Sequence, residues 1–590
     1  MLKQFLIPII STILYLNNRD VEHNEKNFII ETEECKIPDF NPFNPEILKY
    51  FQDKLYLGQC NHGRPPLVGS TSSSIYFLEN SKRFYGILPE DDSVICRYTP
   101  FYRVSRKLGW NKNIKFGPSV YFINSANIGK HEFILVECFY KNEPIYRDYF
   151  EFVPLKKGLK SEMKRNDTFN VLVIGFDGLS RLNFYRQFPK TKKVLESLKS
   201  RELFGYHAKS RKTILNLLPF LTGCSDEELK KNGTDYNCVF LWDYFKKHKY
   251  VTAYGDDAGI MENKDDYNLD YFMYLPEIVK DNDQNGDVTD CLGTREAYKV
   301  FLEYIKSFVN TMSGNNLKFF GYFFKTITSR GVILKPKIFD ELLASFFNDP
   351  SIKNVLNNTV IVVFSDHGAR LGPHRLTHQG SLEEKLPFIS FYFPDNYKNI
   401  YEYSYTNYLI NRYRLTTALE IHKALLFLAQ LNSDTKFNDL RENYGRSVFR
   451  KIPETRSCED VQIPLEYCAC HSSREIPKQL PIIYDIALFL VEYINKMLPF
   501  NCKQLQLDKV LSARSINLRR FQKRIGSGIF FIVMIQTLPG NAQFEAFVNL
   551  ASQDNKIVYT VIGDIKRINL YQTQSRCIDN DYIKNYCYCD

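Results

Sequence analysis

The stretch Thr359-Val-Ile-Val-Val-Phe-Ser-Asp-His-Gly-Ala-Arg-Leu-Gly-Pro-His-Arg-Leu-Thr-His-Gln-Gly-Ser-Leu-Glu-Glu-Lys-Leu-Pro-Phe388 decides how this chain folds. Its first six residues, Thr359 to Phe364, are uncharged and β-compatible, the composition of a strand buried on both faces, as in a parallel sheet. The run stops at Ser365-Asp366-His367-Gly368. A carboxylate and an imidazole therefore stand side by side at the carboxyl end of the strand, and Gly368 is expected to turn the backbone sharply there. In open α/β sheets that edge is where ligands bind. A second segment, Phe169-Asn-Val-Leu-Val-Ile-Gly-Phe176, has the same design and ends in Asp177-Gly178. The two strands are about 190 residues apart in the chain. Lying side by side, they would bring Asp177, Asp366 and His367 to one point.

Composition narrows the class of protein. At 590 residues the chain is too long for one ordinary core, so two or three domains are expected. A hydrophobic fraction of 44% with 24% charged residues is globular rather than disordered. The net charge of +10 is small for this length, and the 77 Lys and Arg are scattered among 67 Asp and Glu. Stretches such as Arg519-Arg-Phe-Gln-Lys-Arg524 read as solvated faces, and no zinc-finger, RNP or homeodomain pattern accompanies them, so no nucleic-acid partner is expected.

The first seventeen residues read as a signal peptide: Lys3, then the mostly apolar Phe5 to Leu16. That run is short for a membrane span, but Asn17-Asn-Arg19 lacks a small-residue cleavage pattern, so a retained signal anchor stays open. No later segment has the length and lack of charge of a membrane helix. Fourteen cysteines, an even number, fit an oxidising compartment. Cys468-Ala-Cys470 and Cys587-Tyr-Cys589 lack a partner at zinc-finger spacing and read as disulfide members. Asn166-Asp-Thr, Asn232-Gly-Thr and Asn357-Asn-Thr are glycosylation sequons. The expectation is a secreted or lumenal glycoprotein.

Along the chain, residues 18–165 read as a β-rich domain stapled by Cys35, Cys60, Cys96 and Cys138, with aromatic and β-branched runs such as Ser74-Ile-Tyr-Phe-Leu78 and His131 to Cys138. Residues 166–455 alternate strands with helical stretches, the pattern of an α/β core whose mostly parallel sheet is covered by helices on both faces. The expected strands end at Asp177, at Asp256-Asp257, at Lys325, at Asp366 and in Phe388 to Phe393. Helices are expected after Pro189, from Leu241 to His248, from Pro336 to Phe347 and from Leu415 to Leu431. Residues 456–590 read as a cysteine-rich connection, a helix from Pro481 to Leu498, and a β subdomain whose clearest strands are Gly528 to Thr537 and Lys556 to Gly563.

The chemistry follows from the strand tips. Carboxylate oxygens with an imidazole nitrogen suit zinc or manganese better than calcium or magnesium. Ester-transfer chemistry also needs a nucleophile beside the ion. Thr213 opens the apolar, helix-like run Thr213-Ile-Leu-Asn-Leu-Leu-Pro. From spacing alone a helix cap explains it with fewer assumptions than a nucleophile does. A hydroxyl there could nevertheless bind a metal at a helix N-terminus, which favours an anionic ester. Lys212 and Lys209-Ser-Arg211 adjoin it and could hold a phosphate or simply be solvated.

Val173 to Phe184, Thr213 to Gly223, Leu356 to Arg370, Gln379 to Phe388 and Ser457-Cys-Glu-Asp460 together resemble the DUF229 family, as do Pro539 to Ala546 and Ile565 to Ile578 in the tail. That family is similar to the alkaline-phosphatase and sulfatase superfamily. The resemblance implies an alkaline-phosphatase-like core, with Asp177, Asp366 and His367 as metal ligands and Thr213 as both ligand and nucleophile on one divalent ion. The Cys/Ser-x-Pro-x-Arg motif of sulfatases is absent around Thr213, which favours phosphate over sulfate esters. One departure stands out: Thr328-Ser-Arg330-Gly331 places an arginine where the family pattern has a histidine. Arg330 offers no lone pair to a second metal but could clamp an anionic substrate. His374 and His378 are spare candidates for a late histidine. The implied function is a secreted metal-dependent hydrolase or transferase of phosphate esters, its substrate an anionic ester, glycan or lipid. The alternative is a catalytically degenerate glycoprotein that uses the same fold for binding.

Overall fold

The computed structural model describes residues 28–51, 60–91, 93–103, 114–159, 168–224, 228, 238–257, 266–273, 291–326, 336–431, 447–516, 528–553, 556–571 and 573–589. The apolar N-terminal run, the sequons at Asn166 and Asn232, and Arg330 lie outside the described residues.

At the centre is a seven-stranded sheet. Its strands are β1 (Asn170–Asp177), β2 (Arg201–Glu202), β3 (Val251–Asp256), β4 (Tyr267–Asn268), β5 (Phe319–Thr326), β6 (Thr359–Ser365) and β7 (Ile389–Tyr392). Their spatial order is β2-β7-β6-β1-β5-β3-β4. The five strands from β6 to β4 are parallel, and β7 and β2 close one side antiparallel. The chain is thus α/β with a mostly parallel sheet, and the two Asp-tipped strands are direct neighbours.

Alternation along the buried strands explains the two covering layers. Leu172, Ile174 and Phe176 join one cluster with the helices Ala297–Gly314 and Lys337–Asn348. Val171 and Val173 join the other, with α1 (Thr213–Thr222) and the helices Leu241–Lys247 and Ala418–Gln430. The last of these starts three residues later than the sequence pattern suggests. Thr417 caps it, and Glu420 completes a capping box. The amphipathic helix Ala297–Gly314 was not anticipated, nor were the strands Gln506–Ile516 and Ala542–Gln553.

On the N-terminal side, the strands Ile95–Arg103, Ile114–Phe116, Val120–Phe122, Phe133–Tyr140 and Glu143–Glu151 form an antiparallel sheet. On the C-terminal side, a second five-stranded antiparallel sheet runs from Ser473–Glu475 to Lys556–Arg567, with the helix Pro481–Met497 packed on one face. All fourteen cysteines are paired. Cys35–Cys470 and Cys60–Cys291 tie segments 435 and 231 residues apart. The Cys-x-Cys sulfurs are likewise committed to disulfides.

Gly175 shows how tightly the central strands pack. It is opposite Phe324 of β5 and Phe364 of β6. A Cβ at this position would lie 2.5 Å from a ring carbon of each. We expect Gly175→Ala to destabilise the fold by roughly 1–3 kcal/mol, the usual cost of overpacking a core. Urea unfolding at fixed metal content checks this, and an unchanged midpoint would contradict the packing described.

Candidate metal centre

Register builds the site. In the pairing of β1 with β6, Phe176 is opposite Ser365. The next residues on the two strands, Asp177 and Asp366, therefore leave the sheet edge side by side. Gly178 follows with φ of +74°, in the left-handed region that glycine tolerates, and its amide donates to Asp366 Oδ1 at 3.1 Å. Ser365 Oγ accepts from the Leu179 amide at 2.9 Å and donates to the His367 carbonyl at 2.9 Å. One hydroxyl thus stitches both strand tips together.

Gly368, expected to turn the backbone sharply, follows a bend at Asp366 and His367 and is not in the left-handed region. Its role is close approach: a Cβ there would lie 2.0 Å from the Glu383 carbonyl oxygen. Its amide donates to the Glu384 carbonyl at 2.9 Å.

Thr213 arrives on the first turn of α1. The preceding loop is wound around Asn216, whose Oδ1 accepts from the amides of Lys209 (2.9 Å) and Ser210 (3.1 Å) and whose Nδ2 donates to the Ser210 carbonyl at 2.7 Å. Ser210 Oγ in turn accepts from the Lys212 amide at 3.1 Å. Held this way, Thr213 Oγ lies 3.2 Å from Asp177 Oδ1 and 3.1 Å from His367 Nε2. His367 Nε2 is 3.1 Å from Asp366 Oδ2 and 3.4 Å from Asp177 Oδ1. Ligand atoms of the two aspartates and the histidine all lie within 4.8 Å of one another. Asp366 and His367 are each 1% exposed, whereas Thr213 is half-buried, so the group opens toward solvent on the threonine side.

The donor set fits a cation. His367 Nδ1 meets the Gly368 carbonyl at 2.8 Å. A carbonyl only accepts, so Nδ1 carries a proton and Nε2 is the ring atom that faces two carboxylates and a hydroxyl. Asp366 Oδ2 is buried with no hydrogen-bond donor to it. Burial raises the pKa of the Asp366 carboxyl and Asp177 adds to the push, while His367, the Gly178 amide and Arg370 act the other way. Two carboxylate oxygens, an imidazole nitrogen and a hydroxyl around one point could hold a divalent cation. The neighbouring carboxylate on this edge, Asp257, is already engaged by buried Lys325 and by the Thr326 amide at 2.7 Å.

The remaining candidates are elsewhere. Lys212 is exposed at the start of α1. His374 is buried against Phe51, and burial lowers its pKa to about 3. His378 packs edge-on against Phe40, and its Nε2 is 3.1 Å from Ser473 Oγ. Neither histidine joins the Asp177, Asp366 and His367 group. Both serve the packing of the N-terminal segment and the C-terminal sheet on the core. Arg370, Asn216 and Ser365 were not singled out from the sequence. Arg370 was visible only within the quoted runs Thr359 to Phe388 and Leu356 to Arg370.

A mostly parallel α/β sheet with acidic strand tips and a histidine at its carboxyl edge defines the class. The chain belongs to the DUF229 family, whose model, described as a protein of unknown function, matches residues 56–511. No curated protein matches it in sequence. Solved structures similar to it include a protein in the alkaline phosphatase superfamily from Vibrio parahaemolyticus, at 11% identity and TM-score 0.34, covering 74% of this chain and 90% of that one. Another is the lipoteichoic acid synthase LtaP from Listeria monocytogenes, at 11% identity and TM-score 0.28, covering 40% and 70%. A third is Ps i-CgsB in complex with k-i-k-neocarrahexaose, at 15% identity and TM-score 0.36, covering 48% and 75%.

The strained carboxylate gives a signed expectation. A carboxyl whose pKa is higher in the folded than in the unfolded state supports the fold below its unfolded pKa. It loses that support as pH rises through the folded value. At neutral pH in chelator, Asp366→Asn should therefore unfold at a higher temperature than the native protein. The gap should narrow as pH falls toward the ordinary carboxylate range. Calorimetry across pH checks this, and a variant less stable at neutral pH would contradict it.

Proposed function

We propose that this chain is a secreted, divalent-metal-dependent hydrolase or transferase of phosphate esters in which Thr213 is the nucleophile. The observation that carries the reading is the position of Thr213 Oγ, 3.1 Å from His367 Nε2 and 3.2 Å from Asp177 Oδ1, on the first turn of a ten-residue helix. A helix cap alone does not require its hydroxyl to meet two candidate metal ligands.

Asp177, Thr213, Asp366 and His367 would hold one zinc or manganese ion, whose Lewis acidity would favour the alkoxide of Thr213 and offset charge developing on the phosphoryl oxygens. The Thr213 hydroxyl donates to Asp177 Oδ1, so the proton has an acceptor at hand. Thr213 Oγ would attack phosphorus, forming the Oγ–P bond as the P–O bond to the departing alcohol breaks. That alcohol leaves with a proton. Water or a second alcohol would then take the phosphoryl group from Thr213, giving hydrolysis or transfer. The first-turn amides of α1 and its dipole favour negative charge at this position. We take the substrate to be an anionic ester carried by a glycan or a lipid.

Seven disulfides support an oxidising destination, and Asn357 of the third sequon is exposed. Among the described residues no helix is long and apolar enough to cross a membrane.

Elemental mass spectrometry of protein secreted from eukaryotic cells should find about one zinc or manganese per chain, lost in Asp366→Ala. Thr213→Ala should lower turnover of an aryl phosphate or phosphodiester probe by on the order of a thousandfold or more. Thr213→Ser should retain measurable turnover. Undiminished turnover in Thr213→Ala would sink the nucleophile assignment. A folded protein with neither metal nor turnover would favour the binding-only reading.

A further inference from the structure

The cations around the sheet's carboxyl edge are mostly spent on the protein itself. Arg211 gives its guanidinium to the carbonyls of Arg370 (3.1 Å) and Arg567, with Glu384 3.7 Å away. Arg375 and Lys566 are held by the buried carboxylates of Glu384 and Glu545. Lys325 is paired with Asp257. Arg370 differs. It lies three residues beyond His367, and its Nη1 donates to the Arg211 carbonyl at 3.0 Å, two residues before Thr213. Its side chain therefore bridges the loop that carries the metal-type ligands and the loop that carries the hydroxyl. It is half-buried, and its charge is felt at Asp366.

We propose that Arg370 is the phosphate-binding residue of this site, with its guanidinium fork taking the non-bridging oxygens of the ester that Thr213 attacks. This rests on the phosphate-ester reading above and names the residue that selects the substrate's charge. One N–H anchors the fork and leaves a planar set of donors that matches two oxygens of a tetrahedral phosphate. Two carboxylates would balance the two charges of one divalent ion, so the long-range attraction of the site for a negatively charged ester depends on groups outside the ligands, and Arg370 is anchored at that boundary. Lys212 and the N-terminal end of α1 add to the same field.

The test is inorganic phosphate binding by calorimetry, with metal content measured on the same samples. Arg370→Ala should weaken phosphate by about 10- to 100-fold, the loss of a charge-assisted pair, while keeping the native metal content. Arg370→Lys retains the charge and a donor to the Arg211 carbonyl but not the fork, and should recover only part of the affinity. It also decides the question should the alanine variant fail to fold. Unchanged phosphate affinity in both variants would overturn the proposal. So would loss of metal together with phosphate, which would make Arg370 a support of the ligand loop. So would sulfate, assayed in parallel, being the only anion that responds to Arg370. Protein stripped of metal separates this proposal from the one it rests on. Phosphate affinity that still depends on Arg370 there sustains the assignment even if no native metal is found.

Discussion

Two carboxylates and an imidazole nitrogen crowded onto one buried point are the constraint on which the rest of this structure depends. Two like charges about 4 Å apart repel by roughly 4 kcal/mol at the effective dielectric of a protein site. His367 acts against that repulsion, and the surroundings hold the group by hydrogen bonds. The Gly178 amide takes one Asp366 oxygen, Ser365 ties the two strand tips, and the Gly368 carbonyl fixes the histidine tautomer. Each of these partners is backbone, or a short side chain next to the sheet, so the geometry costs little side-chain entropy to maintain. A site prepared in this way is suited to receive an ion without rearranging.

A second buried charge system explains why a distant sheet matters to this edge. Glu384 is fully buried, and burial alone would raise its pKa. Arg375, Lys566 and Arg211 overcome that and hold the carboxyl well below its usual range. Glu545 joins through Arg375 and through Ser381 Oγ at 2.8 Å. Such a network is weak as a source of net stability, because desolvation consumes most of the Coulombic gain. Its effect is positional. Glu384 contributes its carbonyl to the Gly368 amide and its carboxylate to Arg211, while the strand carrying Lys566 also presents the Arg567 carbonyl to Arg211. Both loops of the candidate site therefore rest on the C-terminal sheet, and removing one partner would leave charge stranded beneath them.

The sequence made the strand tips legible because two uncharged runs each end in aspartate, and a buried parallel strand tolerates no other place for that charge. Their convergence needed one more fact, the register of β1 against β6, which spacing cannot give. Thr213 could be seen only as the start of a helix. Its approach to His367 depends on Asn216, a helix-interior residue whose side chain reaches back to organise the loop before it. The histidines at 374 and 378 were only spare candidates for a late metal histidine. Tertiary packing instead buries His374 and half-buries His378 against segments more than 90 residues away, at Phe51, Phe40 and Ser473. The helix Ala297–Gly314 was written in its apolar spacing, with Ala297, Val300, Phe301, Tyr304, Ile305, Phe308, Val309 and Met312 all buried. The pairing of Cys35 with Cys470 was not legible at all, since it joins segments that only the folded core brings together.

The division of labour at this edge follows from charge arithmetic. Two aspartates and one divalent ion sum to zero, so such a centre has no long-range preference between a neutral and an anionic ester. Under the proposed reading, that preference would come from groups that are not ligands, and three candidates lie on the threonine-bearing loop or bridge to it: the N-terminal end of α1, exposed Lys212 and half-buried Arg370. Arg211, next in sequence to Lys212, is the counterexample. Its guanidinium is committed to two carbonyls from two distant segments, so it shapes the loop.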